Sequence, residues 1–317
     1  MYNPDKMYNT LLPRLRKLEK YRVEVLAKKN MARKTCSVLA GFALFFTIVM
    51  SVKAFSVGAF VAVLGGLCVF GVYRMITSHY KEQFDSNYKN KIVRSVAHHV
   101  DYNLTYTADE GHCPSVLCDT KHYTNIIDRY KAEDFFQGTR GSREFSFSEM
   151  HAEQEVHNGE RRYWVTIFKG VLFKADFNKR MSSWVTVRPD KESGAIGWVG
   201  TKIQKFNKSI IRMDDQSFEE NFKVTTGNEK EAREILTPDM QLRLLKIKRN
   251  FGKDVMISFR DGSVYVTIPS NENRFESSLD VSATSEDQVL RIASEIRYYL
   301  NLVEDLSPVD RTYLNAG

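Results

Sequence analysis

"VMISFRDGSVYVTIP", residues 255–269, reads as two β-strands joined by a tight turn. Apolar and polar side chains alternate on both sides of Asp261-Gly262, the pattern of a half-buried strand. An Asp-Gly pair suits a type I′ hairpin, whose two central residues both need positive φ. The chain therefore contains antiparallel sheet.

Upstream, "REFSFSEMHAE" (143–153) alternates Phe145 and Phe147 with serines. "RYWVTIFKGVLFKADF" (162–177) is a longer strand pattern in which Gly170 marks a bulge or bend. "SWVTVRPD" (183–190) is a strand stopped by Pro189. Two helices interleave with these strands. In 228–247, Thr237-Pro238 reads as an N-cap followed by a first helical residue, and Met240, Leu244 and Ile247 share a face. In 285–306, Ser285 and Gln288 form a capping box, and Val289, Ile292, Ile296, Tyr299 and Val303 make the buried stripe. Strands and helices in this order give an α+β domain with a mostly antiparallel sheet and packed helices, over residues 136–317. Residues 77–135 read as a helical connector.

The blocks "IFKGVLFKADFNK" (167–179), "FEENFKVTTGNEKEAREILTPDMQLRLLKI" (218–247) and "ISFRDGSVYVTIP" (257–269), in that order, resemble the uncharacterised bacterial family of domain of unknown function 3137. The resemblance covers most of the chain from about residue 80 onward. It implies a pair of N-terminal membrane helices, a cytoplasmic domain and a bacterial inner-membrane setting. It brings no activity and no catalytic residues.

The N-terminal part supports the same expectation. Lys53 is the only charge between Lys34 and Arg74. That run is about forty residues, roughly 60 Å of helix, too long for one crossing and suited to two of about 20 residues each. The spacing predicts a transmembrane helical hairpin over 35–76, with spans at 35–52 and 54–73 and Lys53 at the tip. Basic residues crowd both flanks, so the positive-inside rule predicts a multi-pass protein with both termini cytoplasmic. Gly58, Gly65, Gly66 and Gly71 permit close helix contact, within the hairpin or between copies as a homo-oligomer.

Charge placement narrows the partners. The 317 residues carry 46 basic and 39 acidic side chains, a net charge of +7. Residues 1–35 hold ten basic residues against three acidic ones, which accounts for the whole excess. The remainder is neutral, so no basic patch is implied on the folded domain and nucleic acid is not an expected partner. Residues 1–34 read as a basic amphipathic helix beginning near Pro13. Leu11, Leu15, Leu18 and Val25 form its stripe, with Arg22 in the missing seam position. It lies at a membrane, with Lys17, Lys20, Lys28 and Lys29 facing the anionic lipid of the inner leaflet, or pairs with another helix, or is a solvated helical lead-in to the first span.

Three groups can carry chemistry. His112, Cys113, Cys118 and His122, in "HCPSVLCDTKH", offer four zinc ligands, with His98 and His99 nearby. Their spacing is not that of a zinc finger, and the plainer reading is a polar loop with partly buried cysteines. Glu149, His151 and Glu153 share one face of a strand, as an acid–base cluster requires; alternate charges also mark an ordinary solvated face. Lys169, Lys174, Lys179 and Arg180 interleave with Phe168, Phe173 and Phe177, which suits an acidic ligand or headgroup, or else a charged edge strand. No H-E-x-x-H, G-x-S-x-G, P-loop or G-x-G-x-x-G occurs, and no cofactor is implied. The expected function is a non-enzymatic, membrane-anchored interaction or scaffold module that binds a protein partner or lipid headgroup. The alternative is a membrane-tethered enzyme using a metal or carboxylate/His site.

Overall fold

A computed structural model describes residues 3–51, 55–123, 125–159, 161–190, 210–252 and 254–307; side chains 46, 47, 49–51 and 55–63 are not described. The chain divides into two compact units. The first comprises Met1–Val96 with Phe275–Arg291, the second Ala97–Arg274 with Ile292–Gly317.

The first unit is built on two long helices, α1 (Pro4–Ser51) and α2 (Phe55–Tyr88). The opening helix starts nine residues before the expected Pro13. Asn3 accepts from Lys6 N at 2.9 Å, and Pro4 fills the first helical position, where its missing N–H costs nothing. Pro13 sits inside α1. The two helices run antiparallel: Arg14 donates to Ser95 at 2.6 Å, the Tyr21 and Phe84 rings lie 6.4 Å apart, and Lys28 sits over the Tyr80 ring. A π-helical turn (Lys89–Val93) and α3 (Arg94–Val100) continue the second helix. Leu11, Leu15, Leu18 and Val25 are buried, as are Phe84, Tyr88, Ile92, Val93 and Val96. The 275–291 segment is tied to α1 by polar contacts. Arg22 donates to Leu279 O, Glu19 accepts from Ala283 N at 2.7 Å, and Tyr8 OH donates to Thr284 O at 2.7 Å. The apolar stripe of α1 is thus spent inside the unit.

The expected transmembrane hairpin is overturned, and with it multi-pass placement in a bacterial inner membrane with both termini cytoplasmic. Among the described residues no helix is long and apolar enough to cross a membrane. Both helices far exceed a bilayer's thickness, but 4–34 of α1 and 74–88 of α2 carry charge throughout. Lys53, the expected tip, lies outside the described residues.

The second unit is α+β. Among the described residues its sheet has nine strands in the order β1-β2-β3-β4-β9-β8-β5-β7-β6, with every neighbouring pair antiparallel. The strands are β1 (Thr105–Thr107), β2 (Arg129–Arg140), β3 (Arg143–Asn158), β4 (Arg161–Asp176), β5 (Val185–Pro189), β6 (Ile210–Ile211), β7 (Phe222–Thr226), β8 (Met256–Arg260) and β9 (Ser263–Pro269). The β8–β9 turn has positive φ at both Asp261 (50°) and Gly262 (75°), as a type I′ hairpin demands. The helices are α4 (Pro114–Asp119), α5 (Gln216–Glu219), α6 (Glu229–Ile235), α7 (Pro238–Phe251) and α8 (Glu286–Asp305), the last running on from the first unit. Thr237 caps α7 by accepting from Met240 N, and Met240, Leu244 and Ile247 are buried. Ile292, Ile296, Tyr299 and Val303 of α8 are buried, with Tyr299 stacked on Phe147 of β3 at 4.5 Å.

Candidate functional site

The strand register of β1–β4 builds a polar floor on one sheet face. Thr105 pairs with Gln137, Gln137 with Ser146, and Ser146 with Lys174, so these four side chains form one cross-strand row. Two residues further along, Thr139 pairs with Glu144, and Glu144 N donates to Asp176 Oδ2 at 3.1 Å. Side chains two apart on a strand share a face, so both rows line the same cleft. Its volume is about 450 Å³, within the range of small-ligand sites. The intervening Phe145 and Phe147 point to the other face and bury against the core, which fixes the register.

His112 closes one end of this floor. Its Nε2 lies 2.9 Å from Ser146 Oγ and its Nδ1 lies 2.8 Å from Ser148 Oγ. Burial, with Lys174 adding to it, pushes the imidazole down to about 4. Lys174 is half-buried and lies 5.9 Å from the centre of the Tyr265 ring. Among the described residues Lys174 makes no ion pair, and the side chains of Gln137, Thr139 and Glu144 have no partner.

The four residues expected to bind an acidic ligand do not act together. Lys174 lines the cleft, whereas Lys169, five residues earlier, faces the opposite side of β4. Lys179 pairs with Glu234 at 3.1 Å, and Arg180 is exposed. The four expected zinc ligands are not brought together either. His112 is committed to two serines. Cys113 is the exposed residue preceding α4, its thiol 2.9 Å from Ser115 Oγ, and Cys118 is exposed. His122 is buried and accepts from Arg188 Nε at 3.2 Å, and burial with that guanidinium depresses its pKa. Among the described residues no group of three or more His, Cys, Asp or Glu is placed to hold a metal ion.

Glu149, His151 and Glu153 do share one face of β3, but each has a partner. Arg274 N donates to Glu149 at 2.7 Å, His151 Nε2 lies 3.0 Å from Thr166 Oγ1, and Arg129 pairs with Glu153 while covering the Trp164 ring at 3.9 Å. The Arg129 hydrogen bond lowers the Glu153 carboxyl, and burial lowers His151. The cavity beside Glu149, His151 and Lys169 holds about 30 Å³, room for a few water molecules at most and too little for a substrate. The sequence reading missed Gln137, Thr139, Glu144, Ser146 and Asp176. Their signal, polar residues at alternate positions of three strands, becomes a site only once the register is known.

In the first unit, most of the described apolar side chains beyond the buried stripe are exposed. Phe42 is 68%, Phe45 66%, Leu67 62% and Phe70 59% exposed. At 100° per residue, Val38, Leu39, Phe42, Leu44, Phe45 and Ile48 cover roughly 220° of the α1 circumference. Leu64, Leu67, Phe70, Val72, Met75 and Ile76 cover roughly 240° of α2. Exposed Arg33, Lys34 and Arg74 border these collars, and Lys28 and partly exposed Lys29 lie just below them on α1; Lys17 and Lys20 are exposed further down the helix.

Residues 166–307 match the family described as protein of unknown function (DUF3137). A solved structure of a mycobacterial trehalose monomycolate transport factor A, TtfA, aligns with 70% of this chain and 98% of its own, at 11% identity and a TM-score of 0.32, too distant to carry an argument. No curated protein matches the chain.

Proposed function

We propose that this chain, which over residues 166–307 belongs to the DUF3137 family, is a non-enzymatic interaction module that meets a lipid surface through its helical unit. The exposed apolar collar of α1 and α2 carries the reading. An exposed apolar surface of this extent needs cover. One partner helix covers a stripe about 100° wide. A collar spread over more than half of each helix fits a surrounding apolar medium better than a single protein partner. The basic residues at its base add attraction to anionic headgroups, on the order of 1 kcal/mol each. The reading asks for contact with lipid, not for a crossing. The partners of Glu149, His151 and Glu153 weigh against the enzyme alternative, because each of these groups is already engaged by a neighbour.

Flotation of the purified full chain with vesicles tests this. The chain should float with neutral vesicles and more completely with anionic ones. Joint replacement of Phe42, Phe45, Leu67 and Phe70 by serine should leave it in the dense fraction. A chain that self-associates with increasing concentration and ignores vesicles would contradict the reading.

A further inference from the structure

We infer that the cleft on β1–β4 binds a small zwitterion, an amine-bearing phosphate ester, with the anion over the Gln137–Ser146–Lys174 row and the ammonium over Glu144 and Asp176. The inference stands independently of the helical collar. The floor carries one ammonium and two carboxylates. A simple anion attracted by Lys174 meets both carboxylates, and a simple cation attracted by the carboxylates meets Lys174. A ligand carrying both charges satisfies both.

The register sets where each charge goes. Gln137 and Lys174 flank Ser146 on neighbouring strands, each about 4.8 Å away. A tetrahedral anion above Ser146 is therefore within reach of an amide donor and a lysine point charge, a combination suited to phosphate rather than to the planar fork an arginine gives a carboxylate. Glu144 and Asp176 begin two residues further along, about 7 Å at the backbone. A phosphate and an amine two carbons apart have a comparable span, about 5 Å. His112 holds the Ser146 hydroxyl at 2.9 Å, so the centre of the anion row is oriented before any ligand arrives. Among the described residues Lys174 makes no ion pair and Gln137, Thr139 and Glu144 spend no side-chain hydrogen bond, so these groups are available to a ligand.

Isothermal titration of the full chain with O-phosphoethanolamine, inorganic phosphate and ethanolamine tests the proposal. O-phosphoethanolamine should bind at least tenfold more tightly than either half. Lys174→Gln should weaken it tenfold or more, and Lys174→Arg should restore part of the loss. Glu144→Gln with Asp176→Asn should bring the ester and inorganic phosphate to similar affinity. Dihexanoyl phosphatidylethanolamine, below its micelle concentration, separates a lipid headgroup from a free phosphoamine: competition with the ester assigns the first, exclusion alongside ester binding assigns the second, and both uphold the chemistry. Equal binding of ester and phosphate to the unaltered chain, or no binding of the ester, would overturn it. So would ester affinity unchanged in variants that melt at the unaltered temperature. The comparison among the three probes needs no variant, so it decides the matter even where a substitution fails to fold.

Discussion

The imidazole of His112 lies 2.9 Å from the hydroxyl of Ser146, buried at the end of the polar cleft and held neutral, its pKa down to about 4. An unfolded-chain histidine titrates near 6.5, so between about 4 and about 6.5 the unfolded state binds more protons than the folded one. The stabilisation is fully present above about pH 6.5 and is lost as pH falls toward about 4, by up to about 3 kcal/mol from this group. His122, depressed by burial and Arg188, acts in the same direction. Urea unfolding at about pH 7 and pH 5 should show the unaltered chain losing more stability on acidification than His112→Gln. Equal losses in both would show that His112 is not the sensor.

Gly170 should tolerate no side chain. Its φ is 149°, and a Cβ there would lie 2.1 Å from Ile268 O and 2.8 Å from Ser270 N, both backbone atoms that the β4–β9 ladder holds in place. Gly170→Ala should cost about 3 kcal/mol or more, with part of the β4–β9 pairing lost. Gly41→Ala, with nothing within 4 Å of the new carbon in an α-helix, should be neutral or gain up to about 1 kcal/mol. Chemical denaturation of the two variants side by side checks the contrast.

Glu19 should fasten the 275–291 segment. The Arg22 guanidinium holds its carboxyl down to about 2 against a desolvation cost, and Ala283 N adds a hydrogen bond. Glu19→Gln keeps the shape and removes the charge. It should cost about 1–2 kcal/mol, from weakened charge-assisted hydrogen bonds. Amide exchange at Ala283 should quicken in the variant while exchange in the β8–β9 hairpin stays unchanged. Uniform quickening would mean that the contact stabilises the chain globally.

What was legible in the sequence was local. Asp261-Gly262, Thr237-Pro238 and the alternation around Phe145 and Phe147 each specify backbone geometry within a few residues, and the structure has a hairpin, a helix start and a buried strand face there. Asn3-Pro4 carries the same cap-then-proline signal as Thr237-Pro238, and the helix starts there rather than at Pro13. Gly170 reads in sequence as a bulge or bend; the β3–β4 register shifts between Ala152 and Glu153, and Gly170 is kept small by the close approach of Ile268. Strand β1 and the first seven residues of β2 lie in the stretch 77–135 that reads as helical; three residues of β1 carry too little period to be seen. The cleft was illegible for a different reason. Lys174 and Lys169 look equivalent in sequence, yet an odd spacing puts them on opposite faces, and only non-local pairing brings Lys174 beside Gln137 and Glu144.

The exposed collar of α1 and α2 should meet lipid. Spin labels placed singly at Phe45, Phe70 and Lys17 of the full chain, bound to anionic vesicles, test it through relaxation by oxygen, which concentrates in lipid, and by a water-soluble nickel complex. The account predicts strong oxygen and weak nickel accessibility at positions 45 and 70, and the reverse at 17. Nickel accessibility at 45 and 70 as strong as at 17 would contradict it.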